Sequence, residues 1–272
     1  MSGNPLAVAE PWDLVADGYA EFAPALMQPF SDRALEFASL TPSSQVIDVA
    51  AGTGLLSLLA APQVARVQAI DFSAPMIERL TAAARAAGLT NIEARVGDGQ
   101  ALPFESDTFD AGFSMFGLMF FPERAKGFAE LFRVLRPGGT AVVSSWAPVA
   151  ESPLMRTMFG ALHAADPTVQ EPQPNYLSLE NPEVFQTEMR RAGFEAVSIQ
   201  RHSTALAFAG ADEMWQTLVR SSAPLALMRR SVGEQVWAER VALMKAYLAE
   251  HYRPQRPLST TAFLGIGHKP LG

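Results

Sequence analysis

Asp48, Asp71, Asp98 and Ser114 each stand at or near the end of a short apolar run, where a buried strand would surface. Val46, Ile47 and Val49 give the first run its β-branched character, and Asp48 interrupts it where the chain should emerge. The turn Ala50-Ala51-Gly52-Thr53-Gly54 follows directly. Glycines at 52 and 54 let the backbone turn tightly and approach a ligand that a Cβ would push away. A helix starting at once beyond them points unpaired N–H groups at the same spot. Asp71 ends the run Val67-Gln68-Ala69-Ile70, a position from which a carboxylate accepts hydrogen bonds from both hydroxyls of a ribose. Asp98, acceptor-only when ionised, suits an amine donor. A single acid at a strand end often does no more than cap the next helix, but four such residues in register favour a site. The combination suits an adenosine-containing cofactor, and more than one fold binds one in this way.

Alternating strand and helix patterns position these residues. Strands are expected near 45 to 50, 66 to 71, 91 to 96, 109 to 115 and 139 to 146, separated by helices at 54 to 61, 74 to 87 and 122 to 135. Ser73 with Pro75 marks a helix start, Gly88 a helix stop, and Pro137-Gly138-Gly139 the turn into the fifth strand. Repeated β-α-β crossovers build a parallel sheet with helices on both faces, and ligands sit beyond the carboxyl ends of its strands where the strand order reverses. Asp110 opens its strand, away from that end, and is read as structural. Beyond Trp146 come a helix at Leu154 to Ala164, a proline-rich loop at Pro167 to Pro174, a helix at Pro182 to Ala192 and a strand at Ala196 to Phe208. A helical insertion at about 211 to 252 precedes a last strand, Thr260 to Lys269, expected antiparallel beside the one before it.

In this order and at this spacing, Asp48-x-Ala50-x-Gly52-x-Gly54, Asp71, Gly97-Asp98-x-x-x-Leu102-Pro103-Phe104, Phe109-Asp110 and Leu135-x-Pro137-Gly138-Gly139 resemble the class I S-adenosylmethionine-dependent methyltransferases. The likeness is to the small-molecule enzymes of the ubiquinone/menaquinone-biosynthesis (methyltransferase type 11) kind. One residue departs from the pattern: the family's first glycine is Ala50 here. The resemblance implies a doubly wound, Rossmann-like α/β sheet of seven strands, mostly parallel with the last antiparallel, and helical lid and cap insertions. It also implies S-adenosyl-L-methionine as cofactor and S-adenosyl-L-homocysteine as product. The Gly52 region, with Asp48, Ala50 and Gly54, would approach the methionine part and Tyr19 its carboxylate. Asp71 would take the ribose hydroxyls, Phe72 and Met76 would border the adenine, and Asp98 with Gly99 would read its amino group, with Gln100 in the same cofactor-binding set. Ser114 belongs to the same set. A nicotinamide-dependent oxidoreductase is the alternative enzyme, although Gly52-x-Gly54-x-x-Ser57 lacks the third glycine and no Tyr-x-x-x-Lys set appears. A non-catalytic cofactor-binding protein of the same fold is the third reading.

The domain organisation expected is an N-terminal helical lid over 1–42, a cofactor-binding core over 43–147, and a C-terminal part over 148–272 with cap insertions at about 148–178 and 211–253. In the lid, Pro24 and Pro29 are expected to divide the apolar pattern into two or three short helices. Substrate choice would lie in the insertions and in the apolar stretch after the fourth strand, with Trp12, Met115, Phe116, Met119, Trp146, Met155, Phe159 and Trp215 as pocket residues. Methyl transfer from a sulfonium is an in-line displacement that asks for alignment above all. His163, on the first insertion, is the candidate general base, a surface or core histidine being the alternative. Quinone, phenol, polyketide and isoprenoid acceptors all suit such a pocket.

Composition bounds the rest. A chain of 272 residues, 49% hydrophobic, can bury a full core. A net charge of −7 and a pI near 5.2 argue against a nucleic-acid partner. Absence of cysteine excludes disulfides, thiolate metal sites and a cysteine nucleophile. No histidine pair has metal-ligand spacing, and no metal is expected. The first residues show no signal-peptide pattern and no stretch of ~20 apolar residues occurs, so a cytoplasmic protein without membrane insertion is expected.

Overall fold

The computed structural model describes residues 4–272. Among the described residues two α-helices, α1 (Glu10–Asp13) and α2 (Ala16–Phe37), precede the sheet. The core then alternates as β1 (Gln45–Val49), α3 (Leu55–Ala60), β2 (Arg66–Asp71), α4 (Ala74–Ala86), β3 (Ile92–Val96), β4 (Phe109–Ser114), α5 (Arg124–Val134) and β5 (Leu135–Trp146). The rest comprises α6 (Pro153–Ala165), α7 (Pro182–Arg191), β6 (Glu195–Leu206), α8 (Ala211–Ser221), α9 (Ala223–Val232), α10 (Glu234–His251) and β7 (Leu258–His268).

Seven strands pair in the order β3-β2-β1-β4-β5-β7-β6. The first five are parallel, with helices covering both faces. β7 is antiparallel, as the motifs implied, and lies between β5 and β6, pairing with both. The order reverses between β1 and β4, so the crevice for a ligand opens beyond Val49 and Ser114. Asp110 holds the opposite end: Gln45 N–H donates to its Oδ2 at 2.7 Å and Arg136 to its Oδ1 at 2.7 Å.

Two apolar clusters sandwich the sheet, one around Phe128, Leu131, Phe185 and Met189, the other around Phe30, Phe113, Leu56 and Val67. A third, with Trp215, Trp237, Met244 and Leu248, holds α6, α8, α9 and α10 together as a helical cap. α2 remains one helix from Ala16 to Phe37 with Pro24 and Pro29 inside it, not the broken set expected. Each internal proline forfeits a backbone hydrogen bond at a cost of about 3 kcal/mol. Packing outweighs that cost, because α2 lies across α3 and α8 and buries Ala23, Phe30, Ser31, Ala34 and Leu35. Among the described residues no helix is long and apolar enough to cross a membrane.

Candidate active site

The turn after β1 is fixed by its own backbone. Ala51 N–H donates to Ile70 O and Gly54 N–H to Ala51 O, both at 3.0 Å. Gly52 has φ +56°, and a Cβ there would meet only the Tyr19 ring at 3.8 Å, so the backbone faces open space. Gly54 differs. Its φ is +86°, but a Cβ there would strike Leu80 of α4 at 2.3 Å, so this glycine permits helix packing and not the approach of a ligand. Ala50 adopts φ +57° despite its Cβ, and Gly117 lies so close that a Cβ on it would come within 2.2 Å of Ala50 Cβ.

Asp71 is clamped from both sides. Gly52 N–H donates to Oδ2 at 2.8 Å and Ser73 N–H to Oδ1 at 2.9 Å. Ser73 caps α4 through Met76 N–H and gives its own proton to Asp13 at 2.6 Å, tying α1 to the site. Burial pushes the Asp71 carboxyl up to about 6, against the two N–H donors, and the Asp13 charge adds to the rise. Asp48, 1% exposed, accepts from Ser57 Oγ at 2.7 Å. Its burial outweighs that bond and, with the Asp71 charge, raises it to about 7. Desolvation and then Asp71 push the Tyr19 phenol up to about 12.

A cavity of about 90 Å³ opens beyond the strand ends, and Tyr19, Ala50, Gly52, Asp71, Phe72, Met76, Asp98, Gly99 and Gln100 all line it. Asp98 Oδ1 accepts from Gln100 N–H at 2.8 Å, which orders that corner. Asp48 lines a smaller adjoining space of about 50 Å³ with Tyr19, Ala50 and Gly52. Of the cofactor set read from sequence, Gly54 and Ser114 stay out. The Ser114 hydroxyl is buried and accepts from Leu118 N–H at 3.1 Å.

A second cavity, about 210 Å³, lies under the cap. It shares Leu6, Trp12, Tyr19, Phe116 and Phe120 with the first. Phe116 is held at φ +59°, a rare state for a bulky residue. It stacks on Trp146 with ring centroids 4.0 Å apart, and its N–H donates to Ser144 Oγ at 2.8 Å. Strain of this kind persists only where the surroundings enforce it, and it clusters at ligand sites. Trp12, Phe116, Trp146 and Met155 line this cavity, and Met115 lines the first.

Four residues read as pocket or catalytic lie elsewhere. Trp215 and Phe159 pack in the cap cluster, Trp215 tilted against Trp237 at 6.3 Å, and Met119 packs into the clusters of the sheet. His163 is exposed, its Nδ1 2.8 Å from Val169 O, and lines neither cavity. α6 buries Leu154, Ala161 and Leu162, and a residue one step beyond Leu162 is turned about 100° toward solvent. His163 is therefore not placed to act as a base. Leu6, Met27, Phe120, Met158, Phe208 and Leu218 line the cavities without having been singled out. Phe120 sat in an apolar run that was, but the others look like ordinary core residues until distant segments meet.

Residues 46–139 match the sequence profile of a family described as a methyltransferase domain. An uncharacterized protein of Mycobacterium tuberculosis is 41% identical over 128 residues, 47% of this chain and 46% of that protein. A demethylmenaquinone methyltransferase of Clavibacter sepedonicus is 42% identical over 103 residues, 38% of this chain and 41% of that one. The chain thus spans about half the length of the curated relatives it matches. Among solved structures, the cyclase SpnF superposes with a TM-score of 0.63 at 20% identity over 100% of both chains, which bears on the fold alone.

Proposed function

We propose that this chain, whose residues 46–139 match a methyltransferase domain, moves a methyl group from S-adenosyl-L-methionine to a small, largely apolar or aromatic metabolite by in-line displacement. The observation that carries this reading is the Asp71 carboxylate, fixed by Gly52 and Ser73 N–H at the carboxyl end of β2, one strand from the point where strand order reverses, on a cavity whose wall is shared with a second, apolar one. The residues fit the cofactor. Each Asp71 oxygen spends one lone pair on the backbone and keeps capacity for a ribose hydroxyl. Gly52 leaves room where a side chain would intrude, and Asp98 with Gln100 offers polar groups to an adenine edge. Phe72, 39% exposed, and buried Met76 offer apolar surface to its faces.

The cofactor supplies a methyl group on a positively charged sulfur. This chain's own residues then have three tasks: hold the donor, seat the acceptor in line with it, and keep water out. Alignment alone is worth on the order of 7 to 11 kcal/mol of barrier. Trp12, Tyr19, Phe116 and Phe120, which belong to both cavities, form the passage along which donor and acceptor would face each other.

Calorimetric titration with S-adenosylhomocysteine tests the reading, with NADH and NADPH as controls. Saturable binding of the first alone is expected. Asp71→Asn should weaken it roughly ten- to a hundredfold, as loss of a charge-assisted hydrogen bond of about 1.5–3 kcal/mol requires. No heat with saturating S-adenosylhomocysteine, or a response to NAD(P)H instead, overturns the proposal.

A further inference from the structure

Among the described residues, the wall of the larger cavity contains no Asp, Glu, Lys, Arg or His. Its few polar side chains are mostly committed. Thr217 Oγ1 donates to Glu213 O at 3.0 Å, Ser221 Oγ to Thr217 O at 2.7 Å, and Trp12 Nε1 to Leu6 O at 3.0 Å. Tyr19 is the one titratable group on the wall, and its hydroxyl faces no stronger acceptor than Met27 Sδ at 3.9 Å. Raised as it is, that phenol keeps its proton and serves as a donor, not a base.

Three consequences follow from this wall. A carboxylate or ammonium on the acceptor would be buried without a partner, which is costly. An alcohol of ordinary acidity would find no side chain to take its proton. An amine would carry positive charge into an apolar space with no carboxylate to receive it. A thiol or phenol is different, because it can enter uncharged, and the charge of the anion it then forms cancels the sulfonium charge as they react. A medium of low dielectric favours such a cancellation. Size is compatible with a ring system: a cavity of ~150 Å³ admits benzene, so about 210 Å³ has room for a somewhat larger one.

We propose that the larger cavity takes an uncharged aromatic acceptor, a thiol or a phenol of one or two fused rings, whose own acidity supplies the nucleophile. This rests on the methyltransferase reading above. The acceptor loses its S–H or O–H proton to solvent. Its lone pair then forms the bond to the methyl carbon as the carbon–sulfonium bond breaks, and that electron pair stays on the cofactor sulfur. The products are a neutral thioether or aryl ether and a neutral cofactor sulfide. Tyr19 steadies the anion by donating a hydrogen bond, and the stacked Phe116–Trp146 pair provides an aromatic face.

The test uses the full chain with 2-naphthalenethiol, 2-naphthol, 2-naphthylamine, 2-naphthylmethanol and 2-naphthoate as probes. Calorimetry in the presence of S-adenosylhomocysteine should show the thiol and the phenol binding at least tenfold more tightly than naphthoate. Met158→Trp, which fills the cavity, should abolish probe binding while S-adenosylhomocysteine still binds saturably, which shows that the variant is folded. In methyl transfer, kcat/KM should fall about tenfold per pH unit below each acceptor's own pKa, so the midpoint for naphthol lies above that for the thiol. Transfer to 2-naphthylmethanol should be at least a hundredfold slower. One midpoint shared by both acceptors would reveal a base in the protein and overturn the proposal, as would preferred binding of naphthoate or preferred methylation of the amine. Failure of S-adenosylhomocysteine itself to bind would instead overturn the methyltransferase reading, so the two failures are distinguishable.

Discussion

Asp48→Asn should stabilise the protein at alkaline pH. Asp48 is buried, its carboxyl is raised from 3.8 to about 7, and one side-chain bond, from Ser57 Oγ at 2.7 Å, supports it. Between those two pKa values the folded state holds a proton that the unfolded chain has released, so stability falls as pH rises through that window and the loss is complete above pH 7. A difference of about three units corresponds to about 4 kcal/mol for a fully buried group. Asparagine has nearly the same shape, still accepts from Ser57 through its carbonyl, and carries no charge. Urea unfolding at pH 4.5 and pH 8.5, on variant and wild type, measures the effect. At the lower pH the two should lie within about 1 kcal/mol of each other, and at the higher pH the variant should lead by about 2–4 kcal/mol. Asp71, raised to about 6, tilts both curves in the same direction and cancels from the comparison. Parallel curves across this range would refute the reasoning, since they would mean that Asp48 ionises in the folded protein as it does in the unfolded chain.

Gly117→Ala should destabilise by about 1–3 kcal/mol because its new methyl meets Ala50 Cβ at 2.2 Å, and Ala50→Gly should restore most of that loss; chemical denaturation of the two single variants and the double one gives the coupling. Phe30→Ala, at a side chain with 0% exposure, should cost about 3–5 kcal/mol by the same assay and loosen Phe116 and Trp146, whose rings it meets edge-on at 5.4 and 5.8 Å. Pro24→Ala, within the continuous α2, should raise the melting temperature, because it restores a backbone donor where the helix already continues.

The core was legible because its signals are local. Val46, Ile47 and Val49 specify a buried strand, Gly52 the open turn and Ser73 the cap of α4, each within a few residues of the element it defines. Asp110 was read as structural from its place in its strand, and its bonds to Gln45 and Arg136 show why it belongs there. What escaped depends on contacts between distant segments. Nothing in the pattern of α2 reveals that packing will outweigh two prolines. Periodicity identifies α6 as a helix, but which face meets the cap, and hence that His163 turns outward, is decided by α10. Trp215 and Met155 look alike in sequence as large apolar residues on insertions, yet one completes the cap interior and the other a cavity wall. The place of β7 between β5 and β6 likewise follows from a long return of the chain.

Trp12, Tyr19, Phe116 and Phe120 bound both cavities, so any shift of these side chains on filling one would reshape the other. A resulting gain or loss in affinity must be reciprocal: whatever factor the donor imposes on acceptor binding, the acceptor imposes on donor binding. On the proposed methyl transfer, discharging the sulfonium would alter what presses on the same four side chains, so the partition between donor and acceptor would also register that the transfer is over.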